Sequence, residues 1–272
     1  MNIDFKAYHQ FDTKFDGKKK CPHECYSSGV CPFNISEDKI PCAEEYPYVE
    51  CYYNFPSTGQ QEIYKVLFNG TFLMKINENE ASAPPSISSI GKINITEPGE
   101  YRIRYYTNTN VITNKWDFFY IKTISSINFS KMKLDKFPSS TFANGQALKT
   151  IIGLEQIKTF GSACCRDCQS LTSQNFNLLE AERIENYAFY NCQNLKKVIV
   201  GPKCNFIGDI SFGGNVRDRV YVFQSKTPPT MDGNAFYLNP SPTIYVPADS
   251  LNLYKTATNW SAWASRIFPM AT

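Results

Sequence analysis

The chain has little that catalysis would use. Its 272 residues include two histidines, His9 and His23, both near the N-terminus. A hydroxyl or thiol nucleophile needs a base beside it, and past residue 23 no imidazole is left to serve. No Gly-x-Ser-x-Gly elbow, phosphate-cradling Gly-x-x-x-x-Gly-Lys or dinucleotide fingerprint occurs. Charge is also scarce. The net value is +3 with 19% charged residues, and the densest basic run is Lys18-Lys19-Lys20, which reads as a solvated tail. No basic stripe marks a nucleic-acid interface. No stretch approaches the roughly 20 apolar residues of a membrane span. The start, Met-Asn-Ile-Asp-Phe-Lys, has neither an apolar leader region nor a lipobox. The expectation is therefore a chain assembled in the cytoplasm, or a mature form whose leader was removed.

Cysteine, by contrast, is plentiful. Residues 1–50 read as a polar, cysteine-rich arm, because repeated Gly and Pro argue against long helices. Cys21-x3-Cys25, with His23 between and Cys31 and Cys42 beyond, could ligate zinc through thiolate and imidazole. The spacing is not that of a standard zinc finger, so disulfides and unbonded thiols stand as alternatives. No other cofactor is expected. From 51 to 126 the text turns to short strands. Ile63–Phe68 and Thr71–Ile76 flank the turn dipeptide Asn69-Gly70, a hairpin signal, and Tyr101–Thr107 alternates bulky and polar residues. This segment reads as a small immunoglobulin-like β-sandwich.

From 127 to 246 a pattern recurs. A bulky residue, four mostly small or polar residues and a second bulky residue give Phe137/Phe142, Phe160/Cys165, Ile184/Phe189, Ile207/Phe212 and Met231/Phe236. The second members lie 23, 24, 23 and 24 residues apart. A fixed period of this size indicates a solenoid whose coils bury one apolar edge against the next. A short apolar strand follows each pair. In Leu195–Val200, Leu195, Val198 and Val200 point inward while Lys196, Lys197 and Ile199 face out. In the second coil Gln174 falls where an apolar residue is expected, so that coil is irregular or its strand slips to Phe176 and Leu178. The strands at Val220–Val222 and Ile244–Val246 come one residue early. The outward row read this way is Lys149, Ile152, Asn175, Lys196, Lys197, Ile199, Tyr221 and Tyr245, a mixture suited to a sugar or protein contact. Residues 247–272 carry Leu251, Tyr254, Ala257, Trp260, Trp263 and Ile267, read as the apolar face of a helical cap over the last coil.

Other clusters have bland readings. Cys164, Cys165 and Cys168 suggest a redox or metal site, but the repeat register sends Cys165 and Cys168 inward as small apolar residues. Glu180, Glu182 and Glu185 resemble paired acid and base carboxylates, yet a solvated surface explains them.

The run from Ile184 through Val200, Ile-Glu-Asn-Tyr-Ala-Phe-Tyr-Asn-Cys-Gln-Asn-Leu-Lys-Lys-Val-Ile-Val, resembles the BspA-like leucine-rich repeat. Ile207-Gly208-Asp209-Ile210-Ser211-Phe212 repeats its opening, and Cys168-Gln169-Ser170-Leu171 its Cys-x-x-Leu step. Thr227-Pro228-Pro229, Ala235-Phe236, Tyr245-Val246-Pro247, Tyr254 and Trp260-Ser261 resemble the family's usual ending. The resemblance covers about residues 127–272. Cys165 departs from its usual Phe and Gly145 from its usual Cys. It implies a short leucine-rich-repeat solenoid, so the fold expected is mainly β, with the sandwich read from the strands ahead of the solenoid and the helical C-terminal cap behind it. It also implies non-catalytic attachment to a host surface protein or glycan. The setting expected is a phage virion, as a fibre, tail or decoration component joined to other virion proteins through residues 1–126. A bacterial cell-surface adhesin or glycan-binding protein is the alternative.

Overall fold

The computed structural model describes residues 48–64, 71–76, 90–107, 123–174, 176–214 and 218–271. The proposed ligands Cys21, His23, Cys25, Cys31 and Cys42 lie outside the described residues, as does Asn175.

Five strands open the described chain: β1 (Tyr48–Phe55), β2 (Gly59–Tyr64), β3 (Thr71–Ile76), β4 (Ile90–Ile95) and β5 (Gly99–Thr107). The hairpin expected across Asn69-Gly70 is not what pairs. β2 runs antiparallel to β4, with Glu62 opposite Lys92, while β3 runs antiparallel to β5. The two sides of that turn thus belong to different sheets. Ile63, Ile93 and Ile95 bury the smaller sheet; Val49, Cys51, Tyr53, Phe55, Ile103 and Tyr105 bury the larger. The hydroxyls of Tyr53 and Tyr105 meet at 2.9 Å inside it.

The repeats follow as β6 (Ile124–Asn128), β7 (Lys136–Phe137), β8 (Thr150–Ile152), β9 (Thr159–Phe160), β10 (Asn177–Leu178), β11 (Arg183–Ile184), β12 (Lys197–Val200), β13 (Phe206–Ile207), β14 (Arg219–Phe223), β15 (Thr230–Met231) and β16 (Pro242–Val246). Two parallel sheets result, β7-β9-β11-β13-β15 from the bulky pairs and β10-β12-β14-β16 from the longer strands. The first coil has another partner. β6 pairs parallel with β8 and antiparallel with β1, so one sheet of order β3-β5-β1-β6-β8 joins the N-terminal strands to the solenoid. The expected boundary at 126/127 falls inside β6.

Between the sheets runs an aromatic ladder. Phe137 meets Phe142 and Phe160 at ring-centroid distances of 5.2 and 5.8 Å. Phe160 meets Phe189 at 5.4 Å, Phe189 stacks on Phe212 at 5.7 Å, and Phe212 stacks on Phe236 at 6.0 Å. All are buried, and full burial of each ring contributes about 2–3 kcal/mol.

At the turn end of each coil the chain bends through left-handed residues at two fixed positions. One column is Ser140, Ala163, Tyr187, Ile210 and Gly233; the other is Asn144, Asp167, Asn191, Gly214 and Leu238, with φ between 51° and 68°. These bends aim backbone N–H groups at the next coil: Cys165 N–H donates to Ala188 O at 2.8 Å and Phe189 N–H to Ser211 O at 2.8 Å. Side chains extend the ladder, as Asn186 Oδ1 accepts from Asp209 N–H and Asp209 Oδ1 from Asn234 N–H.

The C-terminal lid is less helical than expected. α1 covers only Leu251–Thr256, a 3₁₀ stretch runs Ser261–Arg266, and β17 (Ile267–Pro269) adds a parallel strand to β16. The reason lies in the spacing: residues 251, 254, 257, 260 and 263 repeat every three, a period that drifts around an α-helix but matches a 3₁₀ turn. Trp260 still seals the end, buried against Phe236 at 6.2 Å and donating from Nε1 to Pro229 O at 2.8 Å. Tyr254 donates to Ser225 O at 2.9 Å.

Candidate binding face

Pairing register fixes which residues share the outer face. Asn177 sits opposite Ile199, Ile199 opposite Val222, Val222 opposite Tyr245, and Tyr245 opposite Phe268. A neighbouring row holds Lys197, Val220 and Thr243. Adjacent parallel strands lie about 4.8 Å apart, so the first row is a nearly continuous aliphatic-to-aromatic ridge. It ends in the Tyr245–Phe268 ring pair at 6.2 Å, with Phe268 42% exposed. Lys196 and Lys197 flank it, exposed.

Of the residues expected on this face, Lys196, Lys197, Ile199 and Tyr245 come together. Lys149 is exposed just ahead of β8 and Ile152 is half-buried within it, in the sheet of β6 and β8, where Ile152 pairs with Asn128. Tyr221 is a correction. It is fully buried, its ring 5.2 Å from Phe212 and 4.9 Å from Phe236, and its hydroxyl accepts from Asn239 Nδ2 at 3.1 Å. Burial pushes its phenol above the ordinary range. The error was one of step. Tyr221 and Tyr245 are 24 residues apart, whereas these strands repeat every 23, so Tyr221 aligns with Ile244 and not Tyr245. Counting 23 from Ile199 reaches Val222, Tyr245 and Phe268 in turn. That count would have found Phe268, hidden in a tail read only as a lid.

The other candidates resolve into structure. Cys164, Cys165, Cys168 and Cys192 are buried, unbonded thiols. Cys168 Sγ donates to Phe142 O and Cys192 Sγ to Cys165 O, each at 3.1 Å, so the repeat cysteine satisfies a carbonyl of the preceding coil. Burial, reinforced by the neighbouring thiols, pushes Cys165 well above the ordinary thiol range; burial does the same to Cys192, and raises Cys204 to about 12. Thiols held protonated are poor ligands and nucleophiles. Among the described residues no group of three or more His, Cys, Asp or Glu is placed to hold a metal. Glu180 pairs with Lys203, and Glu185 with Arg183 at 3.0 Å. Arg219 is buried beside Tyr221, donating from Nη2 to Cys192 O, while its Nε and Nη1 have no partner among the described residues.

The profile of the BspA type leucine-rich repeat region, six copies, matches residues 61–181 and 110–243, well over half the chain. The chain belongs to the BspA-type leucine-rich repeat family. The match starts ahead of the first coil, in strands that pair antiparallel here. No curated protein matches the chain. BspA-type repeats form binding domains of the adhesion kind, typically non-catalytic, and leucine-rich repeats commonly hold proteins. Among the described residues no helix is long and apolar enough to cross a membrane.

Proposed function

We propose that this BspA-type chain is a non-catalytic attachment protein that holds a host surface protein on the outer face of its repeat sheet. One observation carries the reading: the row Ile199, Val222 and Tyr245, half-buried, ending in exposed Phe268 and flanked by exposed Lys196 and Lys197, on a ladder of parallel strands. An apolar, aromatic-ended centre with charge at its rim is the anatomy of a protein-binding surface. In this reading the N-terminal strands, taken as an immunoglobulin-like sandwich, join the chain to a larger assembly. A phage virion is the setting we favour and a bacterial cell surface the alternative; capsid and tail genes beside this one, against secretion or sugar-uptake genes, separate the two.

The test is retention of the full chain on a panel of purified host-surface and extracellular-matrix proteins. The triple variant Lys197→Glu, Tyr245→Ala, Phe268→Ala is expected to lose about tenfold or more in affinity, with its unfolding temperature unchanged. Retention by no panel member, or retention indifferent to the triple change, removes the assignment of this face.

A further inference from the structure

The opposite edge of the coils carries a second feature. A left-handed backbone suits glycine, and asparagine or aspartate tolerates it, whereas a branched or bulky side chain is strained there by about 1 kcal/mol. Half of the ten members of the two left-handed columns obey this, Asn144, Asp167, Asn191, Gly214 and Gly233, and Ser140 and Ala163 are at least small. Tyr187 (φ 59°), Ile210 (φ 53°) and Leu238 (φ 58°) do not. Ile210 is half-buried, but burial does not explain Tyr187, 38% exposed, or Leu238, 59% exposed, and the adjoining Tyr237 is 47% exposed. The fold gains little from these side chains and bears their strain, a combination that marks functional positions.

They form one surface. Tyr187 meets Tyr190 edge-on at 5.8 Å. The Tyr190 ring lies over Gly214, where an added Cβ would come within 2.5 Å of it. In the same coil Gly213 is hemmed by Ile210 and the Tyr237 carbonyl, each 2.6 Å from where its Cβ would stand. The Tyr190 ring thus lies across the middle coil, with Tyr187 against it on one side and exposed Tyr237 on the coil beyond. Tyr187 and Tyr237 are two coils apart, about 9.5 Å along the axis. Arg166 pairs with Asp167 at 3.1 Å and rests over Tyr190 at 5.7 Å, Arg183 pairs with Glu185, and Asp209 and exposed Asp232 make the edge net negative.

We propose that this turn edge binds a neutral polysaccharide. Tyrosine faces stack on the C–H faces of pyranose rings while their hydroxyls meet sugar hydroxyls. Open rings at a fixed axial step suit a ligand that itself repeats, and two coils span about the length of a disaccharide. The negative charge of Asp209 and Asp232 disfavours phosphate-bearing or sulfated partners. This site is separate from the strand ridge and stands or falls independently of it.

The test is electrophoresis of the full chain through gels containing dextran, galactomannan, xyloglucan or amylopectin, with alginate as the anionic comparison. At least one neutral polymer is expected to retard it. Tyr187→Ala with Tyr237→Ala should weaken retardation roughly tenfold, the two Tyr→Phe changes should preserve it, and Phe268→Ala should leave it untouched. Should the alanine pair fail to fold, Tyr237→Ala alone must still weaken retardation. Retardation by none of the neutral polymers, by alginate alone, or equally in wild type and the alanine variant would overturn the proposal. A second readout bears on the strain: Tyr187→Gly is expected to be at least as stable as wild type, and a clear fall in its unfolding temperature would make the residue structural.

Discussion

The second and third coils are built to one plan from different residues. The third, around Phe189, is regular: Phe189 fills the axis, Leu195 and Val198 follow three residues apart, and β12 pairs on both edges. The second has Cys165 where the phenylalanine belongs, and its strand slips, taking five residues from Leu171 to reach Phe176. The slip places Phe176 on the inner face, edge-on to Phe189 at 5.2 Å, so a late phenylalanine supplies the volume the early cysteine lacks. What the repeat conserves is filled space along the axis, because interiors tolerate neither voids nor overlap, while the side chain that fills it is negotiable. The slip also has an outward effect. β8 is not hydrogen-bonded to β10, and Ser173 Oγ, instead of a strand carbonyl, accepts Lys197 N–H at 2.7 Å. The outer sheet is thereby interrupted between β8 and β10, although Thr172 N–H still donates to Lys149 O at 2.9 Å.

The seam between these coils is where a single atom should do most damage. A Cβ on Gly201 of the third coil would lie 1.8 Å from the Leu179 carbonyl oxygen of the second, a backbone atom that cannot step aside without the coil moving. Gly201→Ala is expected to cost about 3 kcal/mol in urea unfolding. A loss below about 0.5 kcal/mol, the level of an inert surface change, would mean the coils are not stacked as described.

A smaller effect separates the coils by chemistry. Cys165 in the second and Cys192 in the third both have thiol pKa values raised by burial. A raised value means the folded state keeps its proton while the unfolded chain gives it up. Stability is therefore full below the unfolded value of about 8.5 and falls as pH rises above it. Each thiol should remove about 1 kcal/mol between pH 8.5 and 9.5. Cys165→Ala and Cys192→Ala should each flatten that alkaline loss by one such share, and an unchanged slope in either would show that thiol to be solvated.

Much of this fold is legible in the sequence because solenoid packing is local and repetitive. The columns of Phe142, Phe189, Phe212 and Phe236 follow from spacing alone, as do the inward Cys165 and Cys168. What escaped depends on quantities that spacing does not encode. From β12 onward the longer-strand sheet advances by 23 while the bulky pairs alternate 23 and 24, and that difference decided the side to which Tyr221 points. Phe268 was hidden by a three-residue period read as helix. The left-handed turns at Tyr187, Ile210 and Leu238 were invisible because no sequence rule assigns positive φ to tyrosine, isoleucine or leucine. The partners of β2 and β3 were missed because a local turn signal says nothing about which sheet each strand joins.

The compensation between Cys165 and Phe176 makes the subtlest test. Cys165→Phe alone inserts a ring into space already occupied and should destabilise by about 1–3 kcal/mol. Phe176→Ala alone empties that space and should cost about 3 kcal/mol or more. Together they restore the pattern of the third coil, a phenylalanine on the axis and a small residue behind it. The double variant should therefore be more stable than the sum of the two losses, by a coupling of about 1 kcal/mol. Strict additivity would mean that the two side chains fill separate spaces and that the irregular coil is held by something other than an exchange of volume along the ladder.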